Sequence, residues 1–241
     1  LDAKGNKFKI QKIITGYTLK STFNKWRFNY QGLLNFSSVS FNTVQGWNLD
    51  SGFSFSKRDE ETGKSTFISS TFNYGFAEHR LRVNARYYHR FNAKNYANIS
   101  ISGGSGISQI NNSEPISNIV NSVSTLFFKN NFMKLYNKEF AKISYGQEVV
   151  NGLFANTSLE YENRRALFNN TDYTLIKSDD LYTSNNPLDP SNNSSIPFAK
   201  HSLVKFNIGT RILFGQKYIS RPDGKLNVPN DKYPVLNFNY E

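Results

Sequence analysis

The chain has no cysteine among its 241 residues. Disulfides, thiolate metal sites and cysteine nucleophiles are therefore excluded, whereas a periplasmic or outer-membrane setting is not. It also lacks any run of about eighteen apolar residues, which rules out a transmembrane helix. Leu1 is not followed by a basic region and an apolar stretch, so a secretory signal is expected to have been removed or to lie upstream. Histidine occurs at positions 79, 89 and 201 alone, and no two have the i, i+4 spacing of a helical zinc pair. No metal and no cofactor are expected. A Gly-rich run, Gly103-Gly104-Ser105-Gly106, lacks the lysine of a phosphate loop and reads as a break in a sheet.

What the chain has in excess is aromatic residues and positive charge. Aromatics make up 15%, with 21 Phe and 14 Tyr, against only 20% charged residues. Such an excess suits β-strands and the interface girdles of membrane barrels. Mean hydropathy is −0.55. A polar lumen averages out an apolar exterior, so that value does not exclude a barrel. The net charge of +11 is spread along the chain rather than gathered in a tail or helix, and nucleic acid is not an expected partner.

The pattern that organises the chain is strict alternation. In Arg80–Arg90, Leu81, Val83, Ala85 and Tyr87 alternate with Arg80, Arg82, Asn84, Arg86, Tyr88 and Arg90. Successive strand residues point to opposite faces, so one wall is apolar and the other cationic. About ten residues suffice to cross a bilayer as a tilted strand. The alternation recurs at Trp47–Lys57, at Phe67–Phe76 (with Phe67 an exception) and at Tyr96–Ser102, separated by turns such as Asp59–Lys64. Residues 47–102 therefore read as a four-strand up-and-down meander.

Elsewhere, residues 8–20 hold one short strand bent at Gly16, and Trp26–Phe41 is a longer strand with Phe36 on its apolar side and Asn35 on the other. Ile116, Ile119, Val120, Val123 and Phe127 recur at helical spacing after Ser113 and Pro115, so a helical segment is expected near 115–140, with a strand as the open alternative. Strands resume near Ile143. Leu153–Arg164 and Ser202–Phe214 alternate clearly, Pro222–Lys225 is a turn, and Val235–Tyr240 is a strand. Residues 179–197, rich in Asp, Asn, Ser and Pro, read as a long exposed loop. The fold class expected is all-β: an antiparallel up-and-down transmembrane β-barrel, in part or whole, over 1–241 as a single region.

If the apolar face meets lipid, then Arg82, Arg86, Glu160, Glu162, Arg164, Lys205 and Arg211 face the lumen. The reverse arrangement would cost about 2–4 kcal/mol for each Arg or Lys near the bilayer midplane. Glu160 and Glu162 are i, i+2 on one face, about 7 Å apart. That separation suits an inverting glycosidase and equally suits a salt-bridge network with Arg164 and Arg82 or Arg86. Nothing else in the sequence builds a sugar cleft, so a structural or pore-lining network is the expectation. Asp179, Asp180 and Asp189 lack the spacing of a calcium loop, and no nucleophile-elbow sequence is present. Tyr17, Trp26, Trp47, Tyr74, Tyr87, Tyr96, Tyr145 and Tyr161 are candidate girdle aromatics.

Several blocks, taken in order, carry a family resemblance. They are Phe41-Asn42-Thr43-Val44-Gln45-Gly46, Asn131-Phe132-Met133-Lys134-Leu135-Tyr136, Asn151-Gly152-Leu153, Leu159 to Thr171 with its Glu-Tyr-Glu-Asn-Arg-Arg-Ala-Leu core, Pro197-Phe198, Gly215-Gln216-Lys217-Tyr218-Ile219 and Tyr233-Pro234. Over roughly residues 40–241 the chain resembles an outer-membrane β-barrel family of Bacteroidota of unassigned function. The resemblance implies an N-terminal carboxypeptidase-regulatory-like domain in the whole protein, of which this chain would be a fragment. It also implies the outer membrane of a Gram-negative-type bacterium as location. The function expected is a non-enzymatic outer-membrane barrel, a scaffold, assembly or transport component, with outer-membrane lipid and other outer-membrane or periplasmic proteins as partners. The alternatives are an anion-favouring pore, an outer-membrane hydrolase and a soluble carbohydrate-binding sandwich.

Overall fold

The computed structural model describes residues 9–34, 38–111, 113–229 and 232–241. Phe8, Asn35, Phe36 and Ser37, which fall on expected strands, lie outside the described residues. The strands are β1 (Tyr17–Ser21), β2 (Trp26–Tyr30), β3 (Val39–Asn42), β4 (Gly46–Arg58), β5 (Ser65–Gly75), β6 (Arg80–Arg90), β7 (Asn98–Gln109), β8 (Leu135–Val150), β9 (Leu153–Ala166), β10 (His201–Leu213), β11 (Lys217–Arg221), β12 (Gly224–Val228) and β13 (Val235–Tyr240). The helices are α1 (Gln11–Thr15) and α2 (Asn118–Phe128).

Eleven strands form one antiparallel sheet in the order β1-β2-β4-β5-β6-β7-β8-β9-β10-β13, with β3 also paired to β4, while β11 and β12 form a separate hairpin. The all-β, antiparallel, up-and-down expectation is met. Closure is not observed: among the described residues β1 and β13 each pair on one side alone.

Directly opposite residues share a face, so the register assigns the side chains wherever neighbouring strands stay paired. One face carries Arg82, Arg86, Lys138, Lys142, Glu160, Glu162, Lys205 and Arg211. The other carries Leu81, Val83, Tyr87, Ile101, Ile143, Leu159, Tyr161, Val204 and Phe206, and the only charged residues that the register places there among the described residues are Lys57, Glu139 and Arg165. Seven of the eight candidate girdle aromatics fall on this apolar face. Tyr96 instead lies in the β6–β7 connection and donates its hydroxyl to the Lys225 carbonyl at 2.6 Å.

The polar face is the concave one. The β11–β12 hairpin follows β10, yet Asp223 at its turn reaches Arg58 at the end of β4 (3.6 Å). The β9–β10 connection likewise reaches the β3–β4 turn, where Thr43 Oγ1 donates to Asn169 Oδ1 at 2.6 Å and Asn170 to the Val44 carbonyl at 2.7 Å. A flat sheet would separate β9 from β4 by about 24 Å, five spacings of about 4.8 Å. The sheet therefore curls, and each rim is spanned by a chord of chain. The small hydrophobic core, Val44, Met133, Leu135 and Leu167 with Ile107 and Ile116, lies at the β3–β4 rim rather than between layers.

Several expected boundaries differ. The described part of the expected strand 8–20 holds α1 before β1, with Gly16 at the bend at φ +83°. The expected Trp26–Phe41 strand stops at Tyr30. Gly32 sits there at φ +80°, so close to the Ile14–Gly16 backbone that a Cβ would collide with it. The helix is shorter than 115–140: Ser117, not Ser113, caps it by accepting from Val120 N, and Lys129 ends it in the left-handed conformation. β8 then starts at Leu135 rather than near Ile143. Within 179–197 the chain is not exposed throughout, since Tyr182, Ser184, Asn185 and Asn186 are buried.

Gly103–Gly106 does not break the sheet, because β7 runs through it. The glycines mark a close approach. β6 and β7 part beyond the Asn84–Gly104 pair, and a Cβ on Gly104, at φ +139°, would run into the Val83 carbonyl oxygen. Gly104→Ala is expected to cost about 1–3 kcal/mol from the strained backbone. A lowered thermal midpoint checks this, and an unchanged one would show that β7 relaxes freely.

Candidate functional site

Three adjacent strands bring the densest cluster of charge together. Glu160 and Glu162 alternate on β9, and cross-strand pairing sets Lys142 and Lys205 opposite Glu160 and Lys138 opposite Arg164. Lys138 Nζ lies between the two carboxylates, 2.8 Å from Glu160 and 2.6 Å from Glu162. Lys142 completes Glu160 at 3.0 Å. Glu162 also accepts from Lys205 at 2.9 Å and from Arg164, whose Nε and Nη2 lie 2.7 and 2.6 Å from the same oxygen. The Glu162 side chain is fully buried, with partners 18–27% exposed. A carboxylate is costly to bury alone, and three cationic donors offset that cost.

Of the residues expected together, Glu160, Glu162, Arg164 and Lys205 meet. Arg82 does not join them. It is buried to 1% exposure and carries both guanidinium Nη atoms to Glu78 of the β5–β6 turn, with Nε 3.0 Å from Asn137 Oδ1. Arg86 donates to Ser100 Oγ at 3.3 Å. Arg211 makes no ion pair among the described residues. Lys138, Lys142 and Glu78 complete the arrangement without having been anticipated. The alternation Lys138-Glu139-Phe140-Ala141-Lys142 would have revealed the lysines had β8 been recognised from Leu135.

The geometry suits a brace better than acid–base chemistry. An inverting glycosidase needs one carboxyl protonated and the other facing a water, whereas here both accept from ammonium or guanidinium groups. The histidines are dispersed: His89 Nδ1 meets Thr66 Oγ1 at 3.0 Å and His201 Nδ1 meets the Ala199 carbonyl at 2.9 Å. Among the described residues no group of three or more His, Asp or Glu is placed to hold a metal ion.

The polar face also carries an amide relay toward the β3–β4 rim. Asn42 donates to Gln45 Oε1 at 3.1 Å, Gln45 to Asn73 Oδ1, and Asn73 to Asp50 Oδ1 at 2.9 Å. These residues line a cavity of about 250 Å³ together with Asn48 and Asn84. Beside it the β9–β10 connection is pinned by side-chain amides. Asn185 accepts from Leu135 N at 2.8 Å and donates to the Leu135 and Leu167 carbonyls, both at 2.6 Å. Lys134 Nζ donates to Thr183 Oγ1 at 2.9 Å and to the Ser184 carbonyl at 2.6 Å. Burial pushes the Lys134 ammonium down to about 8.

A family model described as "Family of unknown function (DUF5686) C-terminal domain" matches residues 11–241. No curated protein and no solved structure matches the chain.

Glu162→Gln would leave Lys138, Arg164 and Lys205 sharing one neutral amide. A loss of about 2–4 kcal/mol is expected, at or below the full cost of breaking a buried pair because the cations keep some solvent. Denaturant unfolding checks it, and Glu162→Gln as stable as the parent would remove the bracing role. Lys134 gives a pH test. Between about pH 8 and its ordinary value of 10.5 the unfolded chain binds the proton and the folded one does not, so stability rises with pH across that window. The ¹³C-dimethyl-lysine resonance of Lys134 should titrate near 8, and titration alongside the other lysines would contradict its burial.

Proposed function

As the chain belongs to the DUF5686 C-terminal domain family of unknown function, we propose that it is the barrel-forming region of an outer-membrane protein of a Gram-negative-type bacterium of the Bacteroidota. Its role in this reading is non-enzymatic: a scaffold, assembly or transport component, carried in the whole protein behind a carboxypeptidase-regulatory-like domain.

The observation that carries the reading is the bare apolar face. Leu81, Ile101, Ile143, Leu159, Val204 and Phe206 are all 46–66% exposed, and no second layer of described residues covers them. A soluble sandwich buries that face against another sheet. Water-exposed apolar patches of this extent mark a membrane or partner surface. β4 to β10 are 11–16 residues long, enough to cross a bilayer when tilted.

α2 supports the same reading because it is amphipathic the wrong way round for a soluble protein. It buries Asn121, Thr125 and one apolar residue, Leu126, while Ile119, Val120, Val123, Phe127 and Phe128 are exposed. The polar side is the one that packs: Asn121 donates to the Phe41 carbonyl at 3.3 Å and accepts from Met133 N at 3.2 Å. A helix at the rim of a barrel with its apolar side outward suits the lipid interface.

A second reading, an anion-favouring pore, draws on Arg86 and Arg211 on the concave face, neither of them neutralised by a carboxylate among the described residues. The hairpin and the β9–β10 connection, which span the two rims, weigh against a wide opening.

The test is reconstitution of the full-length protein. Extraction from membranes only by detergent, a heat-dependent shift in SDS mobility, and quenching of a tryptophan introduced as Phe127→Trp by brominated lipid are the expected results. A protein that stays dispersed without detergent, with a tryptophan that brominated lipid leaves unquenched, sinks the membrane reading. In planar bilayers the scaffold reading predicts silence, and anion-selective conductance would replace it with the pore.

A further inference from the structure

The rim opposite α2 holds a group of cations that the polar-face network does not use. Arg58 ends β4 and Arg90 ends β6, and pairing of both with Ser65 of β5 sets them in one row on the concave face. The β11–β12 hairpin folds over that row. Its turn packs against two others so closely that a Cβ on Gly63 would collide with the Asp223 carbonyl and one on Gly224 would press on Ala93. Between the three turns lies a cavity of about 130 Å³ lined by Arg58, Arg90, Tyr96, Arg221, Asp223 and Lys225 among others.

The charges in this cavity do not cancel. Lys225 is taken by Glu148 at 2.5 Å, and Arg58 meets Asp223 at a long 3.6 Å. Arg90 and Arg221 have no carboxylate partner among the described residues. Four cations thus face two carboxylates. Arg90 is moreover held beside Tyr96, its guanidinium carbon 5.8 Å from the ring centroid, while its Nε is buried with no hydrogen-bond partner among the described residues. A buried donor left unpaired is unfavourable, and more so when charged. A guanidinium fixed in this way, with two more at the walls, matches a compact oxyanion with several acceptor oxygens.

We propose that the cavity under the β11–β12 hairpin binds a phosphate group, with Arg90 as the central donor and Arg58 and Arg221 at its sides. Asp223 competes with the ligand for Arg58. A free phosphate monoester and a phospholipid headgroup offer the same chemistry. The cavity is small enough to take the phosphate alone, with the remainder of the ligand outside it.

The experiment uses the full-length protein in neutral detergent micelles, with thermal stabilisation and titration calorimetry as readouts. One arm adds inorganic phosphate, and the other dopes the micelles with phosphatidic acid. Stabilisation by phosphate identifies a soluble ligand, and stabilisation by phosphatidic acid alone identifies a headgroup. Arg90→Gln should weaken the effective arm by at least about tenfold, Asp223→Asn should strengthen it, and Arg165→Gln, the same charge loss at the far rim, should leave it unchanged. If Arg90→Gln fails to fold, Arg221→Gln on the hairpin takes its place. Binding in neither arm overturns the proposal. So does equal competition by acetate, or equal weakening by Arg165→Gln, which would make the effect one of net charge. Both arms are read in micelles that keep the protein dispersed whether or not it spans a membrane, so their outcome is separate from that of the membrane test.

Discussion

The long sheet sends most of its charged side chains to one side, and no second layer of described residues lies there to satisfy them. The consequence is visible at Glu162. A carboxylate withdrawn from water costs several kcal/mol unless it is paired and hydrogen-bonded, and here Lys138, Arg164 and Lys205 converge on it from β8, β9 and β10. The network also specifies register. Because side chains alternate with a period of two, a one-residue slip of β9 would send Glu160, Glu162 and Arg164 to the apolar face and leave three lysines unpaired.

The same requirement shapes the rims. Chain that crosses the concave face leaves the ladder, and its backbone groups need other partners. At the α2 rim, side-chain amides supply them: Asn42, Asn121, Asn170 and Asn185 all bond to backbone. At the opposite rim the hairpin is fastened by Tyr96, Glu148 and Arg58. The abundance of asparagine in these connections, which in sequence suggests solvent-exposed loop, therefore has a second physical meaning. Asparagine carries a donor and an acceptor on one short side chain, and can substitute for a missing strand neighbour.

Alternation was readable along most of the strands that stand between two full-length neighbours, the first half of β8 excepted. Arg80–Arg90 was delimited to the residue, and the meander from β4 to β7 was found in order. Legibility failed where a local signal has two physical causes. Glycine at 103–106 signals a break, yet it also permits close backbone approach, and the structure uses it so. Hydrophobic spacing from Ile116 onward signals a helix, but that periodicity cannot say where Leu135 hands over to a strand. Missing that boundary hid Lys138 and Lys142, half of the cationic partners of the two glutamates. Arg82 was placed on the charged face of its strand but not with its partner, since Glu78 lies four residues away in a turn.

The sequence by itself determined most of the long strands, their two-faced character and the face of each charge within them, because a strand's side-chain direction follows from position alone. It also determined that the fold is all-β and that its charged side is predominantly basic. Tertiary structure decided which charges meet, how far the sheet curls and which loop residues are buried. Those properties depend on distances between residues up to 129 positions apart, as between Tyr96 and Lys225, and only the register of many strands added together fixes such distances. It alone decided that α2 packs by its polar side, because the direction a helix faces is set by what lies beneath it and not by its own periodicity.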